Sequence, residues 1–443
     1  MARTCFIRLL AAAALLVTPA IAEDRRPLAP LLGLDEAIAT AQHKNHALAS
    51  SSLQLEKVDE RTAALITQRL PKLRLDALGL RLLQPLEGTI PAGMGGVPSL
   101  SITRDTGWVG GFMASVAQPI TQQYRIGLGL QGLRLQHQVA GEDLRRDRQR
   151  ITAEVRSTYY QISATEAGVV ALRDLVRAIE EVDSLTTRYL AEQTVLHSEA
   201  LEVQARLARE RQRLTASENS LATQREHLNQ LMGREVTTPF RVSDPSQFVG
   251  GVERLSLDTA REIAAANRPE IRTAALQISQ ADTARKLAHA DWIPDVSLVA
   301  SYAAVGNAGG LPDHGSAVGV YLSWEPWDWG RRKHEADAQA VAKRQAEAGR
   351  EEAEQQVLVE VGQRWRAVRD AAGQLDATRI AEVAAKAYLE DVRNRYREDA
   401  NMLHDVLEAE ARLSRARHDF TDALAGYWSA AAELERTIGN ENS

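Results

Sequence analysis

Cysteine is all but missing from this sequence: the single one, Cys5, lies among its first residues. Arg3 and Arg8 flank the start of an apolar stretch, Leu9 to Val17. Ala20-Ile21-Ala22 then supplies a small-x-small cleavage pattern ahead of Glu23. Residues 1–22 read as a signal peptide, whose apolar part is too short to span a bilayer as a helix. The mature chain is then free of cysteine, which excludes a disulfide framework, a thiolate metal site and a Cys nucleophile. No cysteine stands at the cleavage point, so no lipid-anchored N-terminus is expected.

Long hydrophobic runs are missing as well. Beyond residue 22 no stretch reaches the 18 or so apolar residues of a transmembrane helix, so a membrane crossing would have to be a closed barrel. A basic excess is also lacking. The formal charge is −6, and removal of Arg3 and Arg8 makes it −8, a poor balance for nucleic-acid binding. Neither HExxH, GxSxG nor a P-loop occurs. Gly127, Gly129 and Gly132 match GxGxxG, but a rod-like helix follows instead of a βαβ unit. Those glycines are expected to serve close turning beside the strands. His43 and His46 stand three apart without an evident third ligand, and a solvated polar face is expected there. No metal, no cofactor and no enzymatic activity are expected.

What the chain does contain is a duplication. Leu34-Asp35-x-Ala37-x-x-x-Ala41 returns as Leu257-Asp258-x-Ala260-x-x-x-Ala264, and Pro71 as Pro294, all at a shift of 223. Later the shift is 206: Glu154-Val155 returns as Glu360-Val361. Leu207, Leu214, Leu221 and Leu228 return as Leu413, Phe420, Tyr427 and Leu434, and Gly233 as Gly439. The first repeat is placed at 23–233, an inter-repeat linker at 234–256 around the Pro- and Gly-bearing Thr237–Val252, the second repeat at 257–439 and a short tail at 440–443.

Each repeat reads alike. An amphipathic helix (Asp35–Gln68, then Asp258–Ala290) ends at a proline. A β-hairpin follows (71–119, then 294–326), with Val296, Leu298, Ala300 and Tyr302 alternating with Ser297, Val299, Ser301 and Ala303. Its loop is long in the first repeat (Pro85–Gly107) and short in the second (Gly306–Gly315). A helical hairpin closes the repeat (132–232, then 331–438). Its first arm exceeds 55 residues, roughly 85 Å of helix. Its second arm shows a thin heptad seam, with Glu210, Ser217 and Gln224 where a further apolar position would fall. Five of the seven tryptophans (Trp108, Trp292, Trp324, Trp327, Trp329) lie in or beside the strands, as in the aromatic girdles of barrels. Two strand pairs cannot close a barrel alone, and open edges are not tolerated in lipid, so several copies must share one barrel. The alternative class is a soluble periplasmic coiled-coil adaptor with a small strand domain.

The segments LDEAIATAQHKNHAL and LDTAREIAAANRPEI, the strand-end QPI and EPW, and the stretch DVLEAEARL resemble the TolC family of outer-membrane efflux factors. The resemblance implies an α+β membrane protein. In it, long α-helical coiled-coil hairpins form a periplasmic barrel, and four β-strands per chain build a trimeric 12-stranded transmembrane barrel. It implies a homotrimer in the outer membrane of a Gram-negative bacterium, docked to a periplasmic adaptor and an inner-membrane pump, exporting small molecules or serving type I protein secretion. Residue by residue, it places the periplasmic entrance at Tyr396, Asn401, Asp405 and Glu408, with Ser198, Glu199 and Glu202 in the first repeat. Family tips carry a glycine three residues after the tyrosine of an Arg-Tyr pair. Here Glu192 and Asp399 take that place. His197 and His404 fall at matched tip positions, and Glu199, Asp405 and Glu408 would form acidic, cation-selective rings in a trimer.

Overall fold

A computed structural model describes residues 30–84, 86–90, 100–104, 107–193, 195–243, 255–306, 313–397 and 403–439. The expected signal segment 1–22, linker residues 244–254, Asp399, Asn401 and the tail lie outside the described residues.

After a short strand β1 (Leu31–Leu32), the expected single helix is two: α1 (Leu34–Lys44) and α2 (His46–Thr67). The break falls at Asn45, which is extended (φ −64°, ψ 127°) and caps α2. Its side-chain oxygen accepts from the Ala47 and Leu48 amides, and its Nδ2 donates to the Leu231 carbonyl at 2.8 Å. The second half breaks at the matched residue.

There, α5 (Leu257–Asn267) and α6 (Pro269–Ala290) meet at Arg268, with the same φ and ψ. Pro269 excludes the residue before it from helical backbone and suits the first position of α6.

After each helix pair come two strands of one four-stranded antiparallel sheet, in the order β2-β5-β7-β8: β2 (Lys72–Leu82), β5 (Gly107–Pro119), β7 (Asp295–Gly306) and β8 (His314–Ser323). The expected hairpins are thus β2–β5 and β7–β8, joined through β5–β7. The first hairpin's connection is not a plain loop. It carries two further paired strands, β3 (Leu86–Ile90) and β4 (Leu100–Arg104), which lengthen the hairpin.

The rods are α3 (Gln122–Ala191, 70 residues) and α7 (Arg331–Arg397, 67 residues), each returning as a 35-residue helix, α4 (His197–Leu231) and α8 (Leu403–Thr437). At 1.5 Å per residue α3 is about 105 Å long. It begins ten residues earlier than expected, so Gly127, Gly129 and Gly132 are helical and make no turn. A Cβ on Gly129 would stand 3.0 Å from the Leu65 side chain, so here glycine admits the close approach of α2.

The leucine seam is real. Leu207, Leu221, Leu228, Leu413, Tyr427 and Leu434 are buried, each pairing its helix with the long arm beside it or with the core at its end. Two of these cores meet at mid-height, where β1 pairs in parallel with β6 (Arg241–Val242) and Trp428 packs against both. Each 35-residue helix ends there on a left-handed glycine, Gly233 (φ 62°) or Gly439 (φ 74°). Gly233 lies against Lys44 and Gly439 against Asn267, the residues just before the two helix breaks.

Candidate functional site

The sheet register decides what the strands offer. On one face the cross-strand rows read Leu73–Val116–Ala300–Val318 and Leu75–Ala114–Tyr302–Ser316, with Ala77–Phe112–Ala304 above and Leu298–Val320 and Val296–Leu322 below. The other face carries Lys72, Arg74, Asp76, Ser115, Ser297 and Ser301. Period-two alternation therefore adds up, strand after strand, to one continuous apolar wall and one mixed polar wall.

Among the described residues nothing covers the apolar wall: Val318 is 78 % exposed, Val320 68 %, Leu73 67 % and Leu75 61 %. A patch of that extent marks a membrane or protein contact. The strands are 10 to 13 residues long, the length that crosses a bilayer when tilted. Among the described residues no helix is long and apolar enough to do so.

Tryptophans flank the wall. Trp292, Trp324, Trp327 and Trp329 lie at the helix end of the sheet, and Trp108 lies near the far end of β5. Trp327 and Trp329 meet edge to face at 5.9 Å, and the Arg332 guanidinium sits over Trp292. The chain turns sharply there, with Trp329 left-handed (φ 58°) and Gly330 at φ 90°. Asp328 holds the turn by accepting from the Gly330 and Arg332 amides, and these bonds hold its carboxyl below its ordinary range. In the first half, Thr121 ties the sheet to α3. Its hydroxyl donates to the Pro294 carbonyl and accepts from the Val296 amide, both at 2.8 Å.

At the opposite end of the rods lie the expected entrance residues. α3 ends at Glu192, which is exposed and has ordinary backbone (φ −83°); the left-handed residue is its neighbour Gln193 (φ 58°). An acid at 192 therefore meets no steric objection. α4 starts with His197 and Ser198, and the Glu199 carboxylate accepts weakly from the Leu196 amide at 3.4 Å. On the other hairpin Tyr396 is exposed near the end of α7, Asp405 lies in the first turn of α8, and Glu408 is exposed one turn on. His404 is helical.

Glu199, Glu202 and Glu408 do come together. They line one groove of about 830 Å³ between α3, α4 and α8. That groove also takes Arg206, Arg209, Arg213 and Arg415, so within one chain the acids form a mixed band and not an isolated acidic one. Arg206, Arg209 and Arg213 follow the acids along α4 itself, whereas Arg415 reaches the band from the other hairpin and could not be placed there by spacing along one helix.

Mid-height electrostatics knit the halves together. Burial pushes the Tyr160 hydroxyl up to about 12, against the pull of Arg156. Glu360 is half-buried. Burial would raise it, but Arg268 and Arg436, at 2.5 and 2.7 Å, outweigh that and hold it low.

A family model described as "Outer membrane efflux protein" matches residues 37–234 and 260–440. The chain belongs to the outer membrane efflux protein family. Its fold is that of solved channels. These include the Campylobacter jejuni CmeC outer membrane channel (14 % identical, TM-score 0.76, covering 92 % of this chain and 85 % of that one) and VceC from Vibrio cholerae (16 %, 0.71, 92 % and 96 %). Another is the open state of the Neisseria gonorrhoeae MtrE outer membrane channel (17 %, 0.72, 92 % and 88 %). A Haemophilus influenzae protein carrying the description "Uncharacterized protein" is 22 % identical over 208 residues, 45 % of this chain and 46 % of its own length. Efflux family members are channel proteins and not enzymes, in keeping with the absence of catalytic motifs from this efflux protein.

Proposed function

We propose that the chain is one subunit of a trimeric outer-membrane efflux channel, a passive conduit that carries small molecules from an inner-membrane pump and its periplasmic adaptor to the outside. The uncovered apolar wall on a four-stranded sheet with two open edges, β2 and β8, carries the reading. Edges bare of partners are not stable in lipid, and three copies joined β8 to β2 would close a barrel of twelve strands. On this reading residues 23–233 and 257–439 are two repeats of one unit, and residues 1–22 are removed on export. The α3–α4 and α7–α8 hairpins form the periplasmic tunnel. Glu199, Glu202, Asp405 and Glu408 then stand near its mouth, with Tyr396, Ser198 and the tip residues Glu192 and His197.

Crosslinking in mild detergent tests the reading. A ladder ending at three subunits, in a fraction that stays with outer membranes after a high-salt wash, is expected. A stable monomer with the full strand content, or release by salt, refutes it.

A further inference from the structure

The face of the sheet opposite the apolar wall changes character along its length. From the helix end outward its rows read Lys72–Ala117–Val299–Gly319, Arg74–Ser115–Ser301–Ala317 and Asp76–Met113–Ala303–Gly315, and then Leu78–Gly111–Val305. Arg81 and His314 stand on the apolar wall's side, opposite Trp108 and Ala304. Of the charged residues in the four strands, only Lys72, Arg74, Asp76 and Asp295 therefore share this face. Asp295 is ion-paired with Arg125. Lys72, Arg74 and Asp76 are exposed and make no ion pair among the described residues. Two cations against one acid leave a surplus of one positive charge per chain, beside side chains that are small and neutral on β5, β7 and β8.

Strand pairing does not require these cations. At the shift of 223 the second hairpin carries Asp295 for Lys72, Ser297 for Arg74 and Val299 for Asp76, and it pairs into the same sheet. With the apolar wall turned to lipid, the charged face lines the lumen. Twelve strands spaced about 4.8 Å apart and tilted about 40° give a backbone radius of about 12 Å. Extended Lys and Arg side chains reach about 6 Å inward, which leaves their charges about 6 Å from the axis. That is within the Debye length of about 10 Å at 0.1 M salt, so an ion crossing the barrel feels them.

We propose, on the footing of the trimeric channel reading, that Lys72 and Arg74 from three copies form a basic collar inside the barrel that favours anions. Cargo bearing a carboxylate, phosphate or sulfonate then passes this part of the conduit more readily than cationic cargo, as basic rings act in anion pores. The collar stands at the far end of the conduit from Asp405 and Glu408 and opposes them in sign. Its effect is therefore read as a shift between variants and not as the absolute preference of the parent.

Recordings of the purified full-length protein in planar bilayers, across a tenfold gradient of potassium chloride, test the proposal. Lys72→Gln/Arg74→Gln should lower the chloride-to-potassium permeability ratio at least about threefold. Asp76→Asn, which removes only the acid, should raise it. Arg74→Lys keeps the charge and should shift the ratio less than Arg74→Gln. Crosslinking establishes that each variant still forms the parent's oligomer, and if the glutamine double variant does not, Asp76→Asn decides alone. A ratio that an assembled variant leaves unchanged, or moves the opposite way, overturns the collar and leaves the channel reading standing. A parent that opens no channel refutes the channel reading, and the collar with it.

Discussion

Replacing Gly233 by alanine puts a Cβ where the structure has no room. Gly233 is left-handed, at φ 62°, and its added methyl would overlap the Lys44 carbonyl oxygen, which is backbone and cannot rotate away. Left-handed backbone costs a non-glycine residue about 1–2 kcal/mol, and forcing a methyl into a packed site costs about 1–3 kcal/mol more. Gly439 is the built-in control. It is equally left-handed (φ 74°), but its Cβ would stand 3.1 Å from Asn267, a contact that a shift of a few tenths of an ångström relieves. Gly233→Ala should therefore cost about 2–5 kcal/mol and Gly439→Ala about 1–2 kcal/mol.

A large membrane oligomer unfolds irreversibly, so the assay is the rate of thermal loss of the folded form at one temperature. Each 1.4 kcal/mol relieved in the unfolding transition state is tenfold in rate. Gly233→Ala should lose its fold roughly tenfold or more faster than Gly439→Ala. Equal rates for the two variants refute the view that the helix ends lock onto the helix breaks.

Glu360 is held low by Arg268 and Arg436, so its contribution is fully present above the ordinary carboxylate range and is lost as pH falls through its depressed value. Glu360→Gln should cost about 2–4 kcal/mol at neutral pH, because it leaves Arg268, only 5 % exposed, with Glu270 alone. It should also flatten the loss of stability below about pH 4, read from melting curves across pH. Val320→Arg on the apolar wall should cost about 2–4 kcal/mol and lower the yield of folded protein in membranes, whereas Ser301→Arg on the opposite face should be tolerated. Comparable losses from both would contradict the assigned lipid face. Asp405→Ala/Glu408→Ala should reduce cation preference in single-channel recordings. Unchanged selectivity and conductance would remove these carboxylates from the pore lining. An impermeant label should reach residues 91–99 from outside the cell and should not reach residues 244–250. The reverse pattern would invert the orientation.

Periodicity made the elements legible. Alternating side chains announced β2, β5, β7 and β8, and sevenfold leucines announced the seams of α4 and α8, because such patterns arise where the two faces of an element meet different surroundings. The repeat could be read from residue shifts alone, down to the two helix-ending glycines. Some local signals were present but overridden or weak. Pro269 does mark the break at Arg268, while Asn45 makes the same break with a side-chain cap that the surrounding helical pattern conceals. Gly127 and Gly129 resemble a turn, and only the neighbouring α2 makes helix the better state for them.

By itself, then, the chain determined its element types and their order, since these follow from local pattern, while the ban on bare edges in lipid makes a barrel shared between copies the expectation. Tertiary structure alone decided which side chains from distant segments meet. The sheet register aligned four apolar faces into one wall, and the packing of α4 and α8 on α3 brought Glu408 and Arg415 to the groove that holds Glu199 and Glu202. The pairs Arg156–Glu435 and Arg436–Glu360 join α3, α7 and α8 at mid-height. Such meetings depend on helix rotation and register across hundreds of residues, which the packing of whole faces selects and no short stretch of sequence contains.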